Sequence, residues 1–341
     1  MTRWKTSLEF IVLLYFLSYL PNIVITRLVT TTADNGLGRP LTGLETLPAS
    51  LIVSLVLTYA FIWLSGWHRD AHSARVAGVR VPIPTRYTLL SGFGTALVLF
   101  TVPLSLTFSG VSIPFIQLLM RGDILVIAPL VDLMFGRRVR WWSWVALAMV
   151  AASLLFVVQQ RGGLNLPPLA IATVILYTVG YFTRLAVMTR ISKTGDPASV
   201  RRYFVEEKIV ALPLSVAALA ALSASGLGSQ AGELGWGFIG IWTSPAMPYI
   251  FGIGVTLTII SVFAIIILLD ARENSYCVPL ERSASLLAGI VAAYILALGW
   301  GQRPPTPAEV IGASILIGAI VLLSVAPRVD RRRREALAEA V

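Results

Sequence analysis

The chain has 341 residues, of which 56% are hydrophobic and 13% charged, with a mean hydropathy of +0.80. A soluble globular domain carries about 25% charged residues, so this composition excludes an ordinary water-soluble fold and points to a chain embedded in lipid. The formal charge of +10 lies mostly in short connections and a terminal run, so it does not indicate nucleic acid, and the single cysteine, Cys277, excludes an internal disulfide framework or a thiolate-built metal site.

Crossing about 30 Å of hydrocarbon takes roughly 20 apolar residues in a helix. Ten segments qualify in chain order: 7–28, 46–67, 87–108, 111–135, 141–160, 167–189, 204–225, 246–269, 276–299 and 307–326. They are continuously apolar rather than alternating, which excludes a β-barrel. The first follows Arg3 and Lys5 and lacks a small-residue cleavage site before Pro21, so it reads as a retained span. Most of the 27 Lys and Arg fall in alternate connections: Arg69 to Arg86, Arg137 to Arg140, Arg190 to Arg202, Arg272, and Arg328 with Arg331 to Arg334. The opposite connections hold only Arg27, Arg39, Arg161 and Arg303. By the positive-inside rule both termini are expected in the cytoplasm, in an inner membrane of bacterial type.

The chain also repeats itself. PFIQLLMRGDILVIAPLVDLMFG from Pro114 and PLERSASLLAGIVAAYILALGWG from Pro279 both run from Pro to Gly, 165 residues apart. Leu47-Pro48-x-Ser50 matches Leu212-Pro213-x-Ser215 at the same separation, and VLLYFLSY at 12–19 matches VILYTVGY at 174–181. These matches divide the chain into halves of five spans, 1–160 and 161–341, the second ending in a short basic tail. Because five is odd, the second half is expected to enter the membrane from the opposite side. The basic GRRVR after the fourth span becomes GQRPPTP after the ninth, as the inversion requires. The expected fold is therefore all-α: ten transmembrane helices in two inverted five-helix repeats, an arrangement that places a solute site near the midplane between halves.

With these residues in view, the chain resembles the drug/metabolite transporter superfamily, in its EamA-like and nucleotide-sugar/triose-phosphate branch. The resemblance is carried by Pro114 to Gly136 with VALAMVAASLLFVV at 145–158, and by Pro279 to Gly301 with VIGASILIGAIVLLS at 310–324. It implies that the fourth and ninth spans line a central cavity. It also implies that Arg121 and Arg282 hold an anionic or phosphorylated solute, although the triose-phosphate branch has two basic residues where this chain has Glu281-Arg282.

Ionisable side chains at membrane depth are costly and face protein or water, so they are candidate site residues. The fourth span carries Gln117, Arg121, Asp123 and Asp132, with Gln117 and Arg121 on one face; the ninth carries Glu281, Arg282 and Ser285, with Arg282 and Ser285 sharing a face. Tyr177, Tyr181 and Arg184 make a polar stripe on the sixth span, matched by Tyr15, Tyr19 and Asn22 on the first. Candidate substrate residues are thus Arg121, Arg282, Gln117, Ser285, Tyr177, Tyr181, Arg184, Tyr15, Tyr19 and Asn22. Asp123, Asp132, Glu207 and Glu281 are candidates for coupling or gating. For each of these, packing and local ion pairing is the competing role. His68 and His72 in HRDAH read as a solvated loop.

No Walker loop, G-x-S-x-G or H-E-x-x-H is present, so neither an ATP-driven pump nor a familiar hydrolase is expected. The expected function is secondary transport of a small organic solute, anionic in character, by alternating access. An EamA-like exporter of amino acids or amphipathic metabolites is the alternative, and an intramembrane lipid-modifying enzyme a more distant one. The expected partners are a small-molecule solute and the lipid bilayer, with a homodimer as a conceivable assembly; no cofactor and no nucleic acid are expected.

Overall fold

The computed structural model describes the chain apart from residues 1–7, 34, 77–78, 106–107, 109–110, 113–114, 117, 121–126, 128–129, 131–133, 135–140, 161–165, 192–195, 227, 271–273 and 340–341. Its helices are α1 (Leu8–Thr31), α2 (Gly43–Leu64), α3 (Arg86–Ser105), α4 (Trp141–Gln160), α5 (Pro168–Ile191), α6 (Pro197–Ala224), α7 (Gly228–Phe238), α8 (Met247–Leu268), α9 (Asn274–Trp300) and α10 (Pro307–Glu339). Six of them, α1, α2, α5, α6, α8 and α9, contain stretches long and apolar enough to cross a membrane; α3, α4 and α10 carry shorter apolar runs. The protein is an all-α membrane protein by these measures. The expected fourth span lies largely outside the described residues, but Phe115, Ile116, Leu118, Met120 and Ile127 from it are buried in the core.

The distribution of side chains is that of a bundle solvated by lipid. Leu13, Leu17, Leu155, Ile175, Phe251 and Leu298 are exposed on the outer faces, while Ser50, Ser91, Thr95, Ser153 and Ser215 are buried between helices. Many helical hydroxyls donate to the carbonyl one turn back, as in Ser18 to Leu14 (2.7 Å) and Ser215 to Ala211 (2.7 Å). Such bonds satisfy the hydroxyl without water.

Helix ends are set by local chemistry. Thr42 and Glu45 form a reciprocal capping box on α2: the Thr42 side chain accepts from the Glu45 N–H, and Glu45 accepts from the Thr42 N–H. Asp196 caps α6 just before Pro197, with its carboxylate accepting from the Ala198 and Ser199 N–H groups. These bonds, led by Ala198, hold the Asp196 carboxyl below its usual pKa. The cap starts α6 seven residues ahead of the span expected at 204, because PASVRRY is polar enough to hide helix from a hydropathy reading. At the other end of the chain, α10 continues to Glu339, so Arg331 to Arg334 belong to a helix rather than a tail. The residues after them, Glu335 to Glu339, are mostly strong helix formers. Between α2 and α3, Ser73–Val76 and Val79–Pro82 pair as a small antiparallel hairpin in which Arg75 is opposite Arg80.

Packing follows an exchange of partners. Helix α3 lies on α5 and α6; α8 lies on α1 and α2; α4 lies on α10. Two close approaches obey the same exchange. A Cβ on Gly92 of α3 would meet the Val210 side chain at 2.6 Å and the Glu207 carbonyl at 3.3 Å on α6. A Cβ on Gly254 of α8 would meet the Val53 side chain at 2.5 Å and the Ser50 carbonyl at 2.9 Å on α2. A close backbone crossing joins α3 and α5, where a Cβ on Gly180 would stand 2.6 Å from the Gly94 carbonyl oxygen. Small residues allow this approach, and lipid supplies no hydrophobic drive to replace it.

Gly180→Ala is expected to destabilise the protein by about 1–3 kcal/mol, because backbone rather than a mobile side chain must yield. Gly299→Ala, where nothing lies within 4 Å of a new Cβ, is expected to leave stability unchanged. Thermal unfolding of the two variants in detergent reads the difference; equal midpoints would contradict the close crossing.

Candidate functional site

The first and sixth spans of the sequence reading, α1 and α5, meet at the start of α9. Tyr15 and Tyr19 are one turn apart on α1, with ring centroids separated by 5.4 Å. Tyr177 and Tyr181 are one turn apart on α5 and stacked at 5.9 Å. The two pairs converge on consecutive residues of α9. The Tyr15 hydroxyl donates to Glu281 Oε1 at 2.5 Å, and Arg282 Nη1 donates to the Tyr177 hydroxyl at 2.6 Å. The Arg282 guanidinium lies 4.0 Å from the centre of the Tyr181 ring and 5.8 Å from that of Tyr177, within the range of a cation–π contact. Tyr15 thus donates to an anion while Tyr177, at the matching place of a similar sequence segment, accepts from a cation.

Glu281 and Arg282 are each 3% exposed. Neighbours on a helix project about 100° apart, yet these side chains bend together until Arg282 Nε is 3.0 Å from Glu281 Oε2. The Arg282 Nε–H is not aligned for a hydrogen bond, so charge and the aromatic rings hold the guanidinium on that side. Two ionised groups at this depth are tolerable only together, because either one alone would be a bare charge in a low dielectric. Ser285, expected on the Arg282 face, donates to the Arg282 carbonyl at 3.0 Å and so is satisfied within α9. Pro279, two residues before Glu281, has no N–H to close the helix ladder beneath the pair.

Arg184 leaves the tyrosine stripe and turns to α6. Its Nε donates to Glu207 Oε2 at 3.1 Å, and Lys208 Nζ lies 3.6 Å from Glu207 Oε1. Tyr203 hydrogen-bonds Glu207 and is also bonded to Ser91 on α3. Arg184 interacts electrostatically with Tyr181, which places Tyr181 between the two charged groups. Arg184, Glu207 and Lys208 are all buried. Asn22 does not join either group; it donates to the Ile253 carbonyl (3.2 Å) and Thr256 (2.8 Å) across the α1–α8 seam.

A third cluster escaped the sequence reading. His72, expected in a solvated loop, places Nδ1 2.7 Å from the Glu206 carboxylate, which also accepts from Thr88 at 2.9 Å. Next to it Arg201 pairs with Asp70, and Arg202 Nε donates to the Asp70 carbonyl at 3.0 Å. The loop before the hairpin is therefore fastened to α6. The HRDAH motif held the histidine, but nothing local announced its carboxylate partner more than a hundred residues away. Of the remaining candidates, Gln117, Arg121, Asp123 and Asp132 lie outside the described residues. Among the described residues no group of three His, Cys, Asp or Glu is placed to hold a metal ion.

No family model and no curated protein matches the chain. One solved protein structure matches 92% of this chain and 97% of its own, at 14% identity and a TM-score of 0.48, a likeness too loose to argue from.

The Arg184–Glu207–Lys208 group predicts a steep loss on breaking it. Glu207→Leu strands two cations in the bundle and is expected to cost about 3–5 kcal/mol. Tyr203→Phe removes only hydroxyl hydrogen bonds and is expected to cost about 1 kcal/mol. Thermal unfolding of the purified variants compares them, and similar losses would show that Glu207 does not organise the cluster.

Proposed function

We propose that the chain is a secondary transporter of ten helices in two inverted five-helix halves, related to the drug/metabolite transporters, which moves a small organic anion by alternating access. The observation that carries this reading is the convergence of Tyr15 and Tyr177 on Glu281 and Arg282. These tyrosines occupy matching places in VLLYFLSY and VILYTVGY. The spacing that separates them also separates Gly92, which packs on α6, from Gly254, which packs on α2. The exchange of packing partners, α3 on α5 and α6 against α8 on α1 and α2, supports two halves related by inversion.

Inverted halves have two equivalent ways to pack, and switching between them exposes one central site to each side in turn. In this scheme α1 and α5 close on α9 from opposite halves. Their tyrosines provide aromatic walls for the apolar part of a solute, while the Arg282 guanidinium supplies a planar donor fork for a carboxylate or phosphate. Gln117 and Arg121 of the fourth span complete the site in this reading. The tyrosine rings at the charged pair also favour a second reading, export of an amino acid or amphipathic metabolite. In both readings the protein sits in an inner membrane of bacterial type with both termini cytoplasmic.

Reconstituted vesicles screened with phosphorylated sugars, nucleotide sugars, organic acids and amino acids are expected to take up or exchange a member of one anionic class. Arg282→Ala and Arg121→Ala are expected to reduce that flux to background while the protein still folds; normal flux in both would end the anion reading. A reporter fused after Arg140 is expected to read cytoplasmic and one after Arg303 external. The same side for both would rule out the inversion.

A further inference from the structure

Arg184, Glu207 and Lys208 bring two cations and one carboxylate together between α5 and α6, which leaves one positive charge in excess. Arg184 is 6% exposed, Lys208 2%, and Glu207 is wholly buried. Glu206, the adjacent acid on α6, does not compensate, because its carboxylate is held by His72 and Thr88. Among the described residues the three have no further charged partner, and the phenols of Tyr181 and Tyr203 are the other titratable groups that act on them.

The donors of the two cations are also unmatched. Arg184 gives Glu207 only its Nε–H. Among the described residues its Nη1 and Nη2 make no hydrogen bond, so the outer fork of the guanidinium has no acceptor. The side chain keeps 8% exposure and is not wholly sealed in protein. On the other side of the carboxylate, Lys208 Nζ lies 3.6 Å from Glu207 Oε1, too far for a good hydrogen bond, and that oxygen accepts none. The ammonium also lies 5.8 Å from the centre of the Phe204 ring. A buried excess charge is relieved by loss of a proton or by arrival of an anion. Loss of a proton from the lysine would leave the Arg184 fork bare, and a guanidinium does not give up its own. An anion satisfies both groups.

We propose that this cluster is an anion site, in which the Arg184 fork and the Lys208 ammonium hold a phosphate or carboxylate group beside Glu207. The planar fork matches two oxygens of such a group, and the ammonium adds a point charge. Glu207 holds the two cations in place, and with a singly charged anion bound the cluster is neutral. The site is separate from Arg282 and does not depend on the anion reading of that residue. Arg184 lies two turns nearer the Ile191 end of α5 than Tyr177, which binds Arg282. In the orientation proposed above that end of α5 is cytoplasmic, so a solute entering from the cytoplasm would meet this site before it reached Arg282.

The test is calorimetric titration of the full chain, purified in detergent, with inorganic phosphate in a zwitterionic buffer free of other oxyanions. Lys208→Met and Arg184→Gln each leave one cation on one carboxylate, so neither strands a charge. Both are expected to weaken, by about tenfold or more, a phosphate site that the wild-type chain and Arg282→Ala retain. Phosphate should raise the unfolding midpoint of the wild type and not that of Lys208→Met. Without phosphate, Lys208→Met should unfold no earlier than the wild type. Wild-type affinity in both variants overturns the site, and so does a lower midpoint for phosphate-free Lys208→Met, which would show an ammonium already satisfied. Phosphate binding lost in Arg282→Ala alone overturns it too and leaves the Arg282 reading standing. A soluble short-chain phosphatidylglycerol, titrated in the same way, tells apart the two sources of such a group. Lipid binding that depends on Lys208 and Arg184 assigns a headgroup, and binding of phosphate alone assigns a free anion. Failure of the wild-type chain to bind either probe overturns the proposal.

Discussion

Inside a bilayer a polar group has no water to turn to, and the ionised groups of this bundle are arranged around that constraint. Glu281 and Arg282 could not persist separately between α1, α5 and α9; together, with a phenol from each side, they form a neutral unit. Arg184, Glu207 and Lys208 answer the same demand where α5 meets α6, with Tyr203 and Ser91 filling in from α6 and α3. Outside these groups the helices pack apolar side chains, and glycine lets some of them approach closely while serine and threonine satisfy themselves on their own backbone. The polar groups therefore specify which helices must meet, and the small residues let them.

In the transporter reading proposed above, the Glu281–Arg282 pair lies where α1 and α5 reach α9. A transport site needs that placement, because the helices that part when one side opens must be the helices that hold the solute. The α3–α5 crossing at Gly94 and Gly180 lies next to the Tyr177–Tyr181 stripe on the same helix. Its close backbone contact makes α3 and α5 a natural unit to move together. The fastening of His72 and Asp70 to α6 similarly ties the loop before the hairpin to that side of the bundle.

Much of this was legible in the sequence, for particular reasons. The tyrosines at 15, 19, 177 and 181 stood out because an i, i+4 polar stripe in an apolar helix has few explanations, and Tyr15, Tyr177 and Tyr181 touch Glu281 or Arg282. Glu281 and Arg282 stood out because charge at membrane depth is costly. What the sequence withheld was pairing at a distance. Arg184 continues the stripe of Tyr177 and Tyr181 in sequence, yet its charge is claimed by Glu207 on the next helix. Asn22 continues the stripe of α1, yet it serves the seam with α8. The polar PASVRRY segment concealed the first seven residues of α6, since hydropathy does not register a helix start capped by Asp196. Glu206 and His72 belong to elements far apart in the chain, and only the folded hairpin region joins them.

The central claim is that one site at the Glu281–Arg282 level is reached from each side of the membrane in turn. Replacing Cys277 by serine leaves no cysteine in the chain. Ser285→Cys then places a single thiol one turn from Arg282, at a position fully buried in this conformation. In oriented vesicles, a membrane-impermeant thiol reagent applied from either side alone should modify this cysteine, at rates that a transported solute shifts in opposite directions on the two faces. Modification from one face only, with or without solute, would contradict alternating access at this site.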